Sequence, residues 1–433
     1  MCFRILLSGI FATAAIIGLR PQDAFAQPSH CDSGVAADKD CDGIKDSTET
    51  SLLARFTPYV RFSNDRGVEQ YRPMDAWNYV RWSELQTDGD EGKGVIVVNS
   101  ILLNNPAAVL GKGTDLMTDK RFREDRFLNP LKDVPRKGGN WARYGYEWRD
   151  VLAKRNVGFY GHVVRFDVRQ PQTDFLQCTR SKTPSNTNRD FVLCDLDVDQ
   201  KKPKSYYKIE YWQFFGYNGV GKPFDFGDHE GDWTTVQVIV DVTTLEPVQV
   251  HHFAHGYRFG FDMQAGRLRS TVDLNGGLVR EYRGMYWSLP VEFWWHDTSQ
   301  ARANNVRSAL SSQNNVLRMR RDATTGKYDH PVVYVEHGGH EFWPTEAWGF
   351  QDSPNHNGDD VEHSYLAAAP PNLGEVEYPL AEVPEATIVL RFNGRWGAYS
   401  RRNASPQGPA LHNGWTWPSS SSIRWQLPKD LGN

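Results

Sequence analysis

Two stretches of this chain hold residues whose types and spacing could do chemistry. The first is Asp38-Lys-Asp-Cys-Asp-Gly-Ile-Lys-Asp-Ser-Thr-Glu49. With Asp38 as position 1, Asp40, Asp42, Gly43, Asp46 and Glu49 fall at positions 3, 5, 6, 9 and 12. Alternate carboxylates at that spacing converge on a hard cation. Glycine makes the sharp turn, Ile44 offers its carbonyl, and a glutamate closes the oxygen sphere. Calcium is therefore the expected ion. The bland alternative is an acidic, solvated turn.

The second stretch is Phe226-Gly-Asp-His-Glu-Gly-Asp-Trp-Thr234, which sets Asp228, His229, Glu230 and Asp232 beside a large aromatic. Carboxylates and imidazoles so placed can hold a cation or act as acid and base. They can equally cap backbone groups in a polar loop. More histidines follow, His251, His252 and His255, then His330, His337 and His340. The candidate catalytic set is His229, Glu230 and Asp232. A second divalent metal would use His229, Asp232 and His255. Asp228, His252 and His340 are the remaining candidates for the pocket wall.

These groups need strands to position them. Val236, Val238, Val240 and Val242 alternate with mostly polar residues, a half-buried strand pattern. After a turn near Thr243 to Glu246 the chain returns as Pro247 to Gly256. A two-residue turn would put Asp232 opposite His255. A three-residue connection would pair Val238 with Val250 and Val240 with Val248, leaving His252 on the Asp232 face. A slip of one residue turns every side chain to the other face, so both registers stand. Further strands are expected at Tyr59 to Phe62, Val95 to Leu103, Asn156 to Val168 and Tyr206 to Asn218. A short helix should begin in Ser47 to Ala54, and residues 301 to 321 are the clearest internal helix candidate. The expected fold is mainly β, an antiparallel β-sandwich of jelly-roll or Greek-key type with a few peripheral helices.

Composition bounds the rest. The 433 residues suffice for a large core, and the formal net charge of -4 gives no nucleic-acid footprint. Arg4, the apolar run from Ile5 to Gly18 and Ala24-Phe-Ala26 read as a secretory signal. Residues 1–26 are then a signal peptide, 27–52 a calcium-loop segment, and 53–433 one β-rich domain. Export leaves four cysteines, Cys31, Cys41, Cys178 and Cys194. An even count outside the cytoplasm suggests two disulfides. Three connectivities are open, and proximity favours Cys31–Cys41 and Cys178–Cys194.

Several motifs occur together. Phe56-x-Pro-x-Val-x-Phe62, Glu69-x-Tyr-x-Pro73, Tyr211-Trp-Gln-Phe-Phe-x-Tyr-Asn218 and Gly231-Asp-Trp233 come first. His330-Pro-Val-Val-Tyr-Val-x-x-Gly-x-His340 and Gly394-Arg-Trp-Gly397 follow. In this order they resemble the vacuolar protein sorting-associated protein 62 family from about residue 53 onward. That resemblance implies no settled activity. The D-x-D-x-D-G-I-x-D-x-x-E loop resembles thrombospondin type 3 calcium repeats.

The centre is also similar to the heptapeptide G-H-R-H-D-W-E of necrosis- and ethylene-inducing peptide-like proteins, secreted β-sandwich cytolysins that use a divalent cation at sphingolipid heads. His229, Asp232, Trp233 and His255-Gly256 match that pattern. Gly231 stands where the pattern has its second histidine, and Thr234 where it has glutamate.

The expected function is a secreted, calcium-binding β-protein whose cation-assisted pocket takes a glycan or a membrane-lipid head group. The alternative is a metal-dependent hydrolase of an extracellular polymer or ester. In that case Asp232, His229 and one further histidine would be ligands, and Glu230 the general base. The sequence leaves the oligomeric state open.

Overall fold

The computed structural model describes residues 37–38, 43–63, 73–76, 79, 83–87, 95–98, 126–130, 158–168, 204–218, 229–254, 257–263, 267–273, 277–283, 286–290, 316–336, 340–344, 361–367, 369–370 and 396–397. Its elements in chain order begin with helix α1 (Asp46–Arg55) and strands β1 (Tyr59–Ser63), β2 (Ser83–Thr87), β3 (Val95–Val98) and β4 (Arg126–Pro130). Next come β5 (Phe159–Val168), β6 (Lys204–Asn218), β7 (His229–Asp241), β8 (Pro247–Ala254) and β9 (Tyr257–Asp262). The remainder are β10 (Arg267–Asp273), β11 (Leu278–Arg283), β12 (Tyr286–Pro290), β13 (Val316–Arg321), β14 (Tyr328–Val335), β15 (Phe342–Trp343) and β16 (Val361–Leu366). The protein is mainly β.

Six strands form one sheet in the order β12-β9-β8-β7-β6-β5, in which chain neighbours from β5 to β9 lie side by side. A second sheet runs β10-β11-β13-β14-β1-β16, with β15 on β14 as its seventh strand, and β3-β2-β4 form a small third sheet. All pairings are antiparallel except β1 on β14, where Tyr59 lies beside Val332 and Phe62 beside Val335 in parallel. A parallel neighbour needs a long connection. Most of the chain separates these two strands, and the sheets are otherwise antiparallel among the described residues, as expected of a mainly antiparallel fold.

The two large sheets share one apolar cluster. From the six-stranded sheet come Val163, Ile209, Tyr211, Phe215, Val236, Val238 and Val250; from the other come Val60, Phe62, Met319, Val333 and Val335. Phe62 meets Phe215 edge-on at 6.4 Å between ring centres, and Phe159 stacks on Phe342 at 6.2 Å. Helix α1 adds Leu52 and Leu53 to the same cluster. The Tyr211 hydroxyl donates to the Leu53 carbonyl at 2.9 Å, tying the last turn of α1 to β6.

Two expectations change. Residues 316–321, the end of the expected internal helix, are strand β13. Leu317 and Met319 are fully buried while Arg318 and Arg320 are half-buried, which is a period of two. Residues 301–315 lie outside the described residues. Strand β7 was expected to be half-buried, yet Thr235, Gln237 and Ile239 are as buried as Val236, Val238 and Val240. Both faces of the six-stranded sheet are therefore covered at its centre.

The β7–β8 hairpin resolves the register. Val238 faces Val250, Gln237 faces His251 and Val236 faces His252. A bulge then sets Val240 against Pro247 rather than Val248. The Asp241 carboxylate accepts the Thr243 and Thr244 amides at 2.8 and 3.0 Å, which fixes the turn. Burial raises the Asp241 pKa, but those amides and Lys204 outweigh it and leave the group below its ordinary value. Apolar matching across the pair thus selected the three-residue register. His252 falls on the Asp232 face as a result.

Candidate functional site

Strand alternation divides the central motif. Asp232 pairs with Phe215 and Trp233 with Phe214 across β6 and β7. Asp232 therefore faces the second sheet, and Trp233 faces away from it.

On the inner face, the residue after β14 that bears on this corner is His340. Its backbone is left-handed at φ 57°, a strained setting for a residue with a side chain. Its amide donates to the Glu336 carbonyl at 2.9 Å, which folds the segment after β14 back on itself. The imidazole stacks flat on Phe215, 4.0 Å between ring centres and 5° between planes. Its Nδ1 lies 3.4 Å from Asp232 Oδ2. Asp232 and His340 are both buried. Three sequence motifs, around Phe215, Asp232 and His340, thus converge at one end of the β6–β7 pair.

His252 occupies the same face, fully buried and edge-on to Phe261. Neither of its ring nitrogens has a hydrogen-bond partner. Burial alone pulls its pKa down to about 3, so the ring is neutral at ordinary pH. Gln213 and Thr234 face each other on this side, one register position along from Val236 and His252. Gln213 Nε2 donates to the Tyr365 hydroxyl of β16 at 3.1 Å, while Gln213 Oε1 and Thr234 Oγ1 have no hydrogen-bond partner. A buried polar atom left in this state costs about 1–3 kcal/mol. Gln213, Thr234 and His252 thus gather buried polar atoms on one face of the sheet.

On the outer face lies a network that sequence reasoning missed. Glu210 is fully buried and accepts from four donors. Lys208 Nζ and Gln237 Nε2 each reach Oε1 at 2.7 Å. His162 Nδ1 reaches Oε2 at 3.0 Å and Trp212 Nε1 reaches it at 3.4 Å. Burial by itself raises the Glu210 pKa, but the Lys208 charge and these donors outweigh it and hold the carboxyl below its usual range. His162 is pushed down, chiefly by burial, so its Nδ1–H donates to an ionised Glu210. The signal was present but thin. His162, Glu210 and Gln237 each stand alone between apolar neighbours or glycine in their own strands. Only pairing puts His162, Glu210 and Gln237 in one row.

The outer face also gathers aromatic rings. Trp233 lies 4.8 Å from Phe214 and 5.1 Å from Trp396, and the Tyr79 hydroxyl donates to the Trp396 carbonyl at 3.0 Å. Gly231 has φ 64°, and a Cβ there would overlap the Trp396 carbonyl oxygen. That close approach and the left-handed backbone call for glycine at this position.

At the N-terminal loop, Asp38 and Glu49 are buried and Ile44 is in the core. Asp38 Oδ2 accepts the Gly43 amide at 2.9 Å, and Gly43 turns the chain at φ 92°. The Asp46 amide donates to the Ala37 carbonyl at 2.9 Å, so the loop closes onto the start of α1. Asp46 and Glu49 both lie in the first helical turn.

Asp40, Asp42, Asp228, His255, Cys31, Cys41, Cys178, Cys194 and the signal segment lie outside the described residues, as do the side chains of His229 and Glu230. Among the described residues no three His, Cys, Asp or Glu side chains form a metal-holding group. No family model, curated protein or solved structure matches this chain.

Proposed function

We propose that this protein is an exported, calcium-binding β-protein that recognises a hydroxyl-rich ligand, a glycan or a lipid head group, at the Asp232 corner of its six-stranded sheet. The carrying observation is the closed N-terminal loop, in which Asp38 accepts the Gly43 amide and Glu49 is buried at the head of α1. Asp38 and Glu49 stand at positions 1 and 12 of the loop, the spacing that suits an ion preferring oxygen. The ion would clip the N-terminal segment to α1, and through Leu52 and Leu53 to the common core.

Recognition rests on the Asp232–His340 pair and the open hydrogen-bonding atoms of Gln213, Thr234 and His252. Hydroxyl groups both donate and accept, which suits a neutral imidazole, an amide oxygen and a threonine hydroxyl. A hydrolase would need three ligands round an open position. Among the described residues Asp232 and His340 supply two, and His255 and the side chain of His229 lie outside those residues.

Metal analysis of the purified chain tests both parts. Wild type should carry calcium, Asp42→Ala and Glu49→Gln should lose it, and chelation should lower the melting temperature of wild type alone. Saturation at 100 to 1,000 times Kd corresponds to roughly 2.7–4.1 kcal/mol of stability. Asp232→Ala should keep the loop calcium and lose binding on a glycan and lipid array. Retained binding by that variant would remove the Asp232 corner from the reading, and melting indifferent to chelation would remove the calcium clip.

A further inference from the structure

Two turns at one end of the molecule are built alike. Asp241-Val-Thr-Thr-Leu-Glu246 joins β7 to β8, and Asp322-Ala-Thr-Thr-Gly-Lys327 joins β13 to β14. In each, the aspartate carboxylate accepts the amides of both threonines: Thr243 and Thr244 at 2.8 and 3.0 Å, Thr324 and Thr325 at 2.8 and 2.6 Å. In each, the fifth residue donates its amide to the aspartate carbonyl, Leu245 at 2.8 Å and Gly326 at 3.0 Å. The sixth donates to the second threonine hydroxyl, Glu246 at 3.3 Å and Lys327 at 3.2 Å. The turns belong to different sheets and lie side by side, with Lys327 Nζ 2.7 Å from Glu246 Oε1.

The twins differ at the fifth position. Its backbone is left-handed in both, at φ 72° for Gly326 and φ 55° for Leu245. Glycine adopts that conformation freely, whereas leucine is strained there. The first turn thus holds a bulky apolar residue where its twin shows that glycine serves. Leu245 is also 40% exposed, so packing within the fold does not account for it. Leu278, the other large apolar side chain exposed among the described residues, opens β11 at the same end, because its neighbour Val279 pairs with Arg320 of β13. Two guanidinium groups accompany these leucines. Arg321 is exposed and donates to the Gly326 carbonyl at 3.1 Å, and Arg280 lies over Tyr328, 4.0 Å from the ring centre. Among the described residues neither meets a carboxylate, in a chain whose net charge is -4.

Apolar tips flanked by uncompensated guanidinium groups complement an anionic bilayer. Leucine enters the acyl boundary, and arginine stays at the head-group phosphates. We propose that this end of the molecule docks on an anionic phospholipid bilayer, with Leu245 and Leu278 inserted and Arg321 and Arg280 at the head groups. The surface lies at the other end of β7 from Asp232 and is independent of the corner assigned to ligand recognition.

Co-sedimentation of the full chain with vesicles of phosphatidylserine in phosphatidylcholine, at fixed calcium, tests this. Wild type should bind, and Leu245→Gly should bind roughly 10-fold more weakly, the loss of one partly inserted leucine. That variant copies the twin turn, so its melting temperature should be unchanged or higher, which separates loss of docking from loss of fold. Arg321→Gln should weaken binding about 5-fold, the share of one basic residue at an anionic surface. Asp232→Ala should bind vesicles as wild type does. The proposal is overturned if wild type does not sediment with the vesicles, or if Leu245→Gly binds as tightly as wild type. Loss in Asp232→Ala without loss in Leu245→Gly also overturns it and places the lipid at the Asp232 corner.

Discussion

The two faces of the six-stranded sheet are both buried at its centre and differ in how Glu210 and His252 are answered. On the outer face Glu210 accepts from Lys208, Gln237, His162 and Trp212. On the inner face His252 has a partner on neither nitrogen. A buried charge that is fully answered locks its neighbours in one geometry. A buried neutral ring left unanswered costs stability and stays ready for a ligand. The Glu210 network therefore reads as framework, and His252 as a group that the fold buries without an answer.

The largest test of that contrast is Glu210→Gln. It should cost about 3–5 kcal/mol in urea unfolding, because it leaves Lys208 charged and buried without its counter-ion. The Glu210 carboxyl sits below its ordinary pKa in the fold, so its contribution is present above the unfolded value and lost as pH falls through the folded one. The variant should lack that acid limb. A cost under 1 kcal/mol would break the reading of the outer face as framework.

Gly231→Ala comes next, at about 2–4 kcal/mol, since the new methyl meets the Trp396 carbonyl at a left-handed backbone position. A smaller loss would show that Trp396 can withdraw without disturbing the junction of the two faces.

His252→Leu should move the other way. With a folded pKa of about 3 against 6.5, the imidazole lowers stability progressively as pH drops from about 6.5 to 3. The stabilisation by the variant should therefore be about 2 kcal/mol greater at pH 5 than at pH 8. An unchanged acid profile would mean that His252 has a partner in solution.

The smallest effect is expected at Thr235→Val. Thr235 Oγ1 is buried on the outer face with no hydrogen-bond partner. Removing the hydroxyl should be neutral or stabilising by under about 1 kcal/mol. A clear loss of stability would show that the outer network extends further than Glu210.

Much of this architecture was legible in the residues. Valine alternation marked β7, the aromatic run marked β6, and the Asp38 to Glu49 spacing marked a loop leading into α1. The match of Val238 with Val250 was one of two readings and was the better packed. Residues 316–321 misled because Leu317-Arg-Met-Arg-Arg321 consists of good helix formers, whereas pairing with β11 and β14 imposed a strand. Glu210 and Lys208 were legible only as letters in a β-like run, because their meaning depends on a row of partners from three strands.

The sequence alone determined β1, β5, β6 and the β7–β8 hairpin, the acidic spacing from Asp38 to Glu49 and the candidate residues, since these depend on local periodicity and on chemistry within a few positions. Tertiary structure decided that Asp232 meets His340, that Gly231 admits the Trp396 carbonyl, and which polar groups are answered. Those outcomes depend on contacts between residues as far apart as Asp232 and His340. Register and the packing of two sheets set such contacts, and no short stretch of sequence contains them.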